Sequence, residues 1–347
     1  MSTLDDRIEA VAATAKAWRA PEHPARAEAA ERTLASDNRF TEESVAFAIN
    51  QAAHAANPTA LRRWTAGRES AEPGRVGLWL GDAVPMVGWQ PMLAAFLAGH
   101  EVVVRLAPSS PALLPLFARE LERANGEEGR IRFDPDWPGA MAGFDVVWGS
   151  GASEDVARLA EHAAEVGLPG ERVRLHGERY AVAVVGADET PEARIGIAED
   201  TWLYGGEGPR SVRLLWAPEG LSPDPYLDAF SAFHELFPPH PDRAGALEMP
   251  RAFLKAAKAS YAWGDGFLVS RGEPDVQAPG HLRWAEYTGL GAVRDWLRAQ
   301  DDLALLVASP GLAAELNGSI EVVAPGDAHR PRLHDAEGQA LYALLAG

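Results

Sequence analysis

Cysteine is absent from the 347-residue chain. That excludes disulfides, Cys-ligated zinc, iron–sulfur clusters and any thiol nucleophile. Lysine is almost absent: Lys16, Lys255 and Lys258 are the only three among 32 basic residues. Two explanations stand side by side, a GC-rich genome favouring Arg and Ala codons and adaptation to high salt, where excess acid keeps a protein soluble. Positive charge as a whole is scarce. Acids outnumber bases 50 to 32, for a formal charge of -18. Such a surface repels phosphate backbones and anionic bilayers, so no nucleic-acid partner is expected. No apolar run approaches the roughly 20 residues of a membrane helix. The N-terminal MSTLDDRIEA is acidic and lacks the apolar core of a secretory leader. These absences together predict a cytoplasmic protein without a membrane span.

What is present suits a folded protein of two domains: 47% hydrophobic and 24% charged residues. Residues 1–37, rich in Ala, Glu and Arg and broken at Pro21 and Pro24, predict a loosely packed helical arm. A helix start follows at Thr41, with Glu42 and Glu43 at its positive end and Phe40 and Val45 placed as a hydrophobic staple. From residue 76 strands and helices alternate: VGLWL (76–80), a helix over 88–98 stopped by Gly99, EVVVRL (101–106), a helix over 111–124, FDVVWGS (144–150), a helix over 153–166, and YAVAVVG (180–186). Strands separated by helices of this length imply right-handed crossovers and a mostly parallel sheet. A second set begins near Pro191, with helices over 192–204, 225–236 and 250–260, strands at 211–217, GFLVS, HLRWAEY and LALLVAS, and a late strand at SIEVVAPG (319–326). The expected domains are therefore 38–190 and 191–318, with 319–347 packing back on the core. Most of the 11 tryptophans, including Trp79, Trp89, Trp148, Trp202, Trp216 and Trp263, are expected in the core or at a domain interface, a few of them lining an acyl channel.

Three stretches in order resemble the LuxC-type acyl-CoA reductases, a branch of the aldehyde dehydrogenase superfamily. They are NRFTEESVAFAINQAAHAANPTALRRW (38–64), VGLWLGDAVPMVGWQPMLAAFLAGHEVVVRLAPSSPALLPLF (76–117) and EDTWLYGGEGPRSVRLLWAP (199–218), with weaker echoes at GDGFLVS (264–270) and HRPRLHDAEG (329–338). The resemblance implies an α/β, aldehyde-dehydrogenase-like fold, with a Rossmann-type cofactor domain and a smaller α/β catalytic-type domain. It implies NADPH-dependent reduction of an acyl thioester to an aldehyde, through an acyl group carried on cysteine.

That chemistry needs a nucleophile, donors for the oxyanion and a nicotinamide near the carbonyl carbon. The family's nucleophile lies in a segment G-x-G-C-R-N. Here the segment reads Gly206-Glu207-Gly208-Pro209-Arg210-Ser211, so Gly208 and Arg210 match while Pro209 takes the cysteine's place. Proline also lacks the N–H that helps hold the oxyanion. The second family donor is the asparagine of a segment G-N-x-P; here Asp82-Ala83-Val84-Pro85 puts Ala83 at its position. Ser211 has no evident base, and Glu207 reads as a solvated loop acid. Neither is expected to replace the nucleophile.

For the cofactor, Arg105 matches the family's basic position at a strand end, where it could hold a ribose 2′-phosphate. Gly149-Ser150-Gly151 precedes a helix, where backbone N–H groups could cradle a pyrophosphate. Glu154 and Asp155 in the first turn of that helix oppose it. NADP(H) is thus the candidate cofactor, and no metal is expected, since His234, His240, His329 and His334 lack ligand spacing. Three functions follow. One is a degenerate family member that binds an acyl-CoA or acyl-carrier thioester, with an active paralogue or another protein as candidate partner. The others are a non-covalent NADPH-dependent carbonyl reductase and a non-enzymatic interaction scaffold.

Overall fold

The computed structural model describes residues 2–67, 72–316, 318 and 320–346. The chain forms two compact units, Met1–Glu178 with Pro331–Gly347, and Arg179–Arg330.

The first unit opens with α1 (Leu4–Ala17), α2 (Pro24–Leu34), α3 (Glu42–Ala55) and α4 (Pro58–Thr65). The residues expected to form a loose arm are instead part of the core. Ile8, Val11, Ala15 and Trp18 recur at helical spacing and are buried, and the Arg7 Nε donates to the Leu97 carbonyl at 3.0 Å. The abundant Ala, Glu and Arg of this stretch mask that narrow apolar stripe. At the start of α3 the Thr41 and Ser44 side chains form a reciprocal cap, and Phe40 and Val45 are buried.

Then follow β1 (Arg75–Leu80), α5 (Trp89–Ala98), β2 (Glu101–Arg105), α6 (Leu113–Asn125), β3 (Ile131–Phe133), β4 (Val146–Ser150), α7 (Ser153–Glu165) and β5 (Val173–His176). Among the described residues these strands make a five-stranded parallel sheet in the order β3-β2-β1-β4-β5. Apart from half-buried Gln90 in its first turn, the helix α5 is apolar on every side and buried along its length, as an inner helix must be. The chain direction across the sheet reverses between β1 and β4. Such a switch point opens a crevice at the strands' carboxyl ends.

The second unit holds β6 (Tyr180–Val184), α8 (Pro191–Trp202), β7 (Val212–Pro218), α9 (Asp224–Leu236), α10 (Asp242–Ala256), β8 (Tyr261–Gly264), β9 (Phe267–Arg271), β10 (His281–Tyr287), α11 (Leu290–Arg298), β11 (Leu303–Ala308), α12 (Pro310–Leu316) and β12 (Val322–Val323). Among the described residues its seven-stranded sheet runs β12-β11-β6-β7-β10-β9-β8, with β8 antiparallel to β9 and the other pairs parallel. Val182, Leu214, Trp216, Ala285 and Leu306 form its core with α11 and α12.

Three expectations are revised. The strand over 180–186 pairs with β7 and β11, so it opens the second unit rather than closing the first. A buried parallel strand reads the same in either sheet, and sequence does not reveal its neighbours. The late strand over 319–326 reduces to β12, with Ser319 outside the described residues. The helix expected over 250–260 begins at Asp242 and runs through Pro250.

A last helix, α13 (Ala336–Ala346), belongs to the first unit. Trp64 Nε1 donates to the Gly338 carbonyl at 2.8 Å, and buried His100 bridges the Gly74 N–H and the Leu345 carbonyl. Burial holds the His100 imidazole below its usual pKa.

Candidate functional site

The cofactor-side candidates gather at the switch point of the first sheet. Arg105 ends β2, beside Trp79 of β1 in register. Its guanidinium carbon lies 3.9 Å from the centre of the Trp79 ring, which leans edge-on against Trp137 at 5.7 Å. The indole shelf holds the cation by its ring face and leaves the planar fork free of any carboxylate partner among the described residues.

Gly149 and Ser150 end β4, and Gly151 follows. The Gly81 N–H donates to the Ser150 carbonyl at 2.8 Å, drawing the loop after β1 against this turn. A Cβ on Gly81 would come within 3.0 Å of the Gly151 Cα, and one on Gly149 within 2.8 Å of Leu175 Cδ2. Gly149 is therefore fixed by packing. The Gly151 N–H donates to the His176 carbonyl at 3.2 Å, so it is not a free phosphate donor. The free donors lie one step on: α7 starts at Ser153 without a side-chain cap, leaving its first N–H groups open. Glu154 and Asp155 at this end are not bare charges. Arg158 pairs with both, which offsets their opposition to an anion.

Ala83 lies half-buried in the loop from β1 to α5 and offers no donor beyond its backbone. Its neighbour Asp82 accepts from the Ser109 hydroxyl at 3.1 Å.

In the second unit the segment around Pro209 is a wound turn. Tyr204, Gly205 and Gly206 all take left-handed backbone angles, with φ of 58°, 64° and 76°. The glycines are dictated by close approach as well. A Cβ on Gly205 would lie 2.4 Å from an Arg243 nitrogen, and one on Gly206 3.0 Å from the Gly280 backbone N. Next, the Ser211 N–H donates to the Gly208 carbonyl at 3.0 Å. Gly208–Ser211 is thus a β-turn with Pro209 at its second position, the place where a fixed φ is favoured.

The flanking side chains are committed to structure. Glu207, expected as a solvated acid, accepts from Arg243 at 2.8 Å, and that arginine is 4% exposed. Arg210, matched to the family's catalytic segment, donates from Nε to the Ala328 carbonyl at 2.7 Å and from Nη2 to Glu321 at 3.0 Å. It ties the residues on either side of β12 to the entrance of β7. Ser211 is fully buried, with its hydroxyl unpartnered among the described residues.

Sequence reasoning missed Arg243, Glu321 and a further buried group, Asp200. The Asp200 carboxylate accepts from the Gly326 and Ala328 N–H groups at 2.7 and 3.0 Å. Burial raises its pKa to about 7, against the lowering effect of those two bonds. Beside it, His329 sits edge-on to Tyr204 at 5.3 Å, and burial, then nearby Arg210, pushes its imidazole down to about 3. Only the acid in an otherwise apolar run, Glu321, hinted at its role; Asp200 meets its partners 126 and 128 residues away.

Among the described residues no group of three or more His, Cys, Asp or Glu is placed to hold a metal ion. No helix there is long and apolar enough to cross a membrane.

No family model matches the chain. No curated protein matches it either. Solved structures do. The chain is similar to an NAD-dependent benzaldehyde dehydrogenase from Corynebacterium glutamicum, at 15% identity and TM-score 0.72, over 93% of this chain and 81% of that one. It is similar to an indole-3-acetaldehyde dehydrogenase of P. syringae, a cysteine-to-alanine mutant in complex with NAD+ and IAA, at 15% identity and TM-score 0.74 over 93% and 77%. An aldehyde dehydrogenase from Bacillus cereus in complex with NAD+ matches at 14% identity and TM-score 0.71 over 93% and 76%. Identities this low speak to fold, and the fold is that of the aldehyde dehydrogenases: a Rossmann-type parallel-sheet unit and a second α/β unit.

Proposed function

We propose that this chain is a catalytically degenerate protein of the acyl-CoA reductase type, binding NADP(H) and an acyl thioester without forming a covalent acyl intermediate. One observation carries the reading: at the position matched to the cysteine nucleophile, Pro209 serves as the second residue of the β-turn Gly208–Ser211. That position has neither a thiol nor an N–H. Neighbouring groups do not replace it, because Glu207 is paired with buried Arg243 and Ser211 is inaccessible. Ala83 lacks the side-chain donor that the resemblance requires at the oxyanion.

Binding does not need those groups. The P. syringae enzyme holds NAD+ and IAA with a cysteine changed to alanine. In this chain Arg105 on its Trp79 shelf suits a 2′-phosphate, and the uncapped start of α7 beside Ser150 suits a pyrophosphate. When bound, a nicotinamide supplies or accepts a hydride. Arg105 favours NADP(H) over NAD(H). The biological role that fits is a cytoplasmic sensor or carrier of acyl thioesters, from CoA or an acyl carrier, or a partner of an active paralogue.

The test is a fluorescence titration with NADPH, with and without a long-chain acyl-CoA, followed by intact-mass measurement. Saturable binding, an unchanged protein mass and no NADPH oxidation are expected. An acyl adduct or thioester-dependent oxidation overturns the proposal. Oxidation with free aldehydes alone favours the non-covalent carbonyl reductase, and no binding up to millimolar favours the scaffold.

A further inference from the structure

Two arginines of the second sheet are close neighbours and are held differently. Residues in register on parallel strands point to the same face, and successive residues alternate. Arg271 of β9 is in register with Trp284 of β10 and pairs at 2.9 Å with Glu286, further along β10. Arg283 is in register with Ser270 and so points to the opposite face. It is half-buried there, and its Nε is buried without a hydrogen-bond partner. No carboxylate among the described residues pairs with it. Arginine is rarely buried unpaired, and an unsatisfied buried donor calls for an explanation, a bound ion among them.

The same face carries two side chains more than nine-tenths buried, Ser270 at 0% and His281 at 6% exposure. The Ser270 Oγ lies 2.7 Å from the His281 Nε2, and neither side chain has another partner among the described residues. Burial, then the nearby Arg283 charge, pushes the imidazole down to about 4, so the ring is neutral at pH 7. The hydroxyl has one proton and one acceptor in reach. Ser270 therefore donates to Nε2, and the ring's own proton sits on Nδ1. The crossover 272–280 from β9 to β10 passes over this face. Trp296 packs on that side with Leu214, the register partner of Arg283, and donates from Nε1 to the Pro274 carbonyl at 3.1 Å. Gly272 lies against the guanidinium, where a Cβ would come within 2.6 Å of Nη1.

We propose that Arg283 and the Nδ1–H of His281 bind a compact oxyanion, the phosphate or carboxylate group of a small molecule, under the crossover 272–280. The inference is independent of the reading of the cofactor site and of Pro209. Three features select an anion. The guanidinium fork matches two oxygens at once, and Nδ1–H adds a further donor on the same face, about 6.6 Å along the strand and within reach of the long arginine side chain. Both groups only donate, so their ligand must accept. The arginine's charge is also uncompensated. Glu273 and Asp275 of the crossover are exposed, and Asp275 accepts from Gln277 at 3.0 Å. In its effect on His281, Asp275 ranks behind burial and Arg283. Ser270 is a positioning residue, fixing the tautomer of His281 through Nε2.

The test uses the full chain at constant ionic strength, with inorganic phosphate and acetate as probes. The readout is the imidazole nitrogen resonances of His281, assigned with His281→Gln. Without a probe, His281 should show a protonated Nδ1 and a bare Nε2. At least one probe should move the Nδ1 signal saturably, with a dissociation constant on the order of 1 mM for one charge-assisted fork. A response to phosphate alone assigns a phosphate group, to acetate alone a carboxylate, and to both the shared chemistry; each supports the proposal. Arg283→Met should weaken binding about tenfold, and Arg283→Lys, which keeps the charge without the fork, about threefold. Gly272→Ala keeps the charge but crowds Nη1, and should also cost about tenfold. Melting temperatures check that each variant folds, so the result does not hang on one substitution. Ser270→Ala should move the ring proton toward Nε2 and weaken binding about threefold. No saturable response to either probe up to about 20 mM overturns the proposal. So does binding that Arg283→Met and Gly272→Ala both leave unchanged, or a wild-type His281 with its proton on Nε2. Phosphate binding that moves no His281 signal and is lost in Arg105→Gln belongs to the first unit and equally overturns it.

Discussion

The switch point after β1 and β4 and the turn before β7 are both tight, glycine-dependent structures, yet they hold different chemical resources. At the switch point the candidate donors are main-chain N–H groups at the start of α7, with one guanidinium held on an indole. Such a cradle is a property of backbone geometry and survives changes in most side chains. At the turn before β7 the chemistry would depend on one side chain and its N–H, and Pro209 supplies neither. Around it Arg210, Glu207 and Arg243 hold the loop with charged hydrogen bonds. The difference teaches that a folded loop is no sign of a working one, because the contacts that shape it are separate from the group that reacts.

The strongest way to break this comparison is to return the missing groups. Cysteine accepts the φ of Pro209, and the substitution restores an N–H at small cost, about 0.4–1 kcal/mol of unfolded-state entropy. Pro209→Cys should take an acyl group from acyl-CoA, visible as a mass increase where the wild type shows none. If residue 83 supplies an oxyanion donor, as the resemblance implies, adding Ala83→Asn should raise NADPH oxidation a further 10²–10³-fold, about 2.7–4 kcal/mol for one oxyanion donor. If the double variant forms no adduct, the loop differs from a working site by more than its side chains.

The next effect separates structure from chemistry through pH. Folding raises the Asp200 pKa to about 7, above an unfolded value near 4. Between those values the native state holds a proton that the unfolded chain has lost, so this group's contribution to stability falls as pH rises from 4 to 7. The size is up to about 4 kcal/mol at roughly 1.4 per pH unit. His281 and His329, pushed down to about 4 and 3, act oppositely, losing stability as pH drops below about 6.5. The informative quantity is therefore a difference. Urea unfolding of Asp200→Asn against wild type should show the variant gaining relative stability as pH rises from 4.5 to 7.5. A constant difference would show that Asp200 stays ionised.

Arg210 comes third. Its side chain is 10% exposed and that of Glu321 22%, so removing the cation strands a largely buried carboxylate. Arg210→Ala should cost about 3 kcal/mol in unfolding free energy. It should leave NADPH affinity unchanged, because the clamp belongs to the second unit. A loss of cofactor affinity with intact stability would reverse the assignment.

Much of this was legible in advance, for identifiable reasons. Alternating apolar runs and turns gave β1, β2 and β4, and Gly99 and Thr41 gave helix ends, because these signals are local, whereas the short strands β3 and β5 carry too few residues to stand out. The mismatch at Pro209 was equally local. What escaped were long-range partners. Nothing near residue 180 tells which sheet β6 joins, and nothing near Glu207 announces Arg243, which is 36 residues away. Trp263, expected inside, is exposed because it lies on the edge strand, and edge position is a property of the sheet. The helix α10 was misplaced for a related reason: its exposed face is apolar, so the periodicity that marks a surface helix is reversed.

The smallest effect bears on the cofactor side. Arg105 stacks on Trp79 with its fork unpaired by any carboxylate among the described residues. A 2′-phosphate would gain a bidentate, charge-assisted contact there, and a 2′-hydroxyl would not. Arg105→Gln should therefore weaken NADPH binding about tenfold, or about 1.4 kcal/mol, and leave NADH binding within about twofold. The shelf sharpens the expectation, because Trp79→Leu removes the ring that orients the fork while keeping the charge. That variant should lose part of the NADPH preference, with a steeper dependence on salt as the cation becomes more solvated. Equal losses for both cofactors in either variant would place Arg105 against the pyrophosphate rather than the ribose.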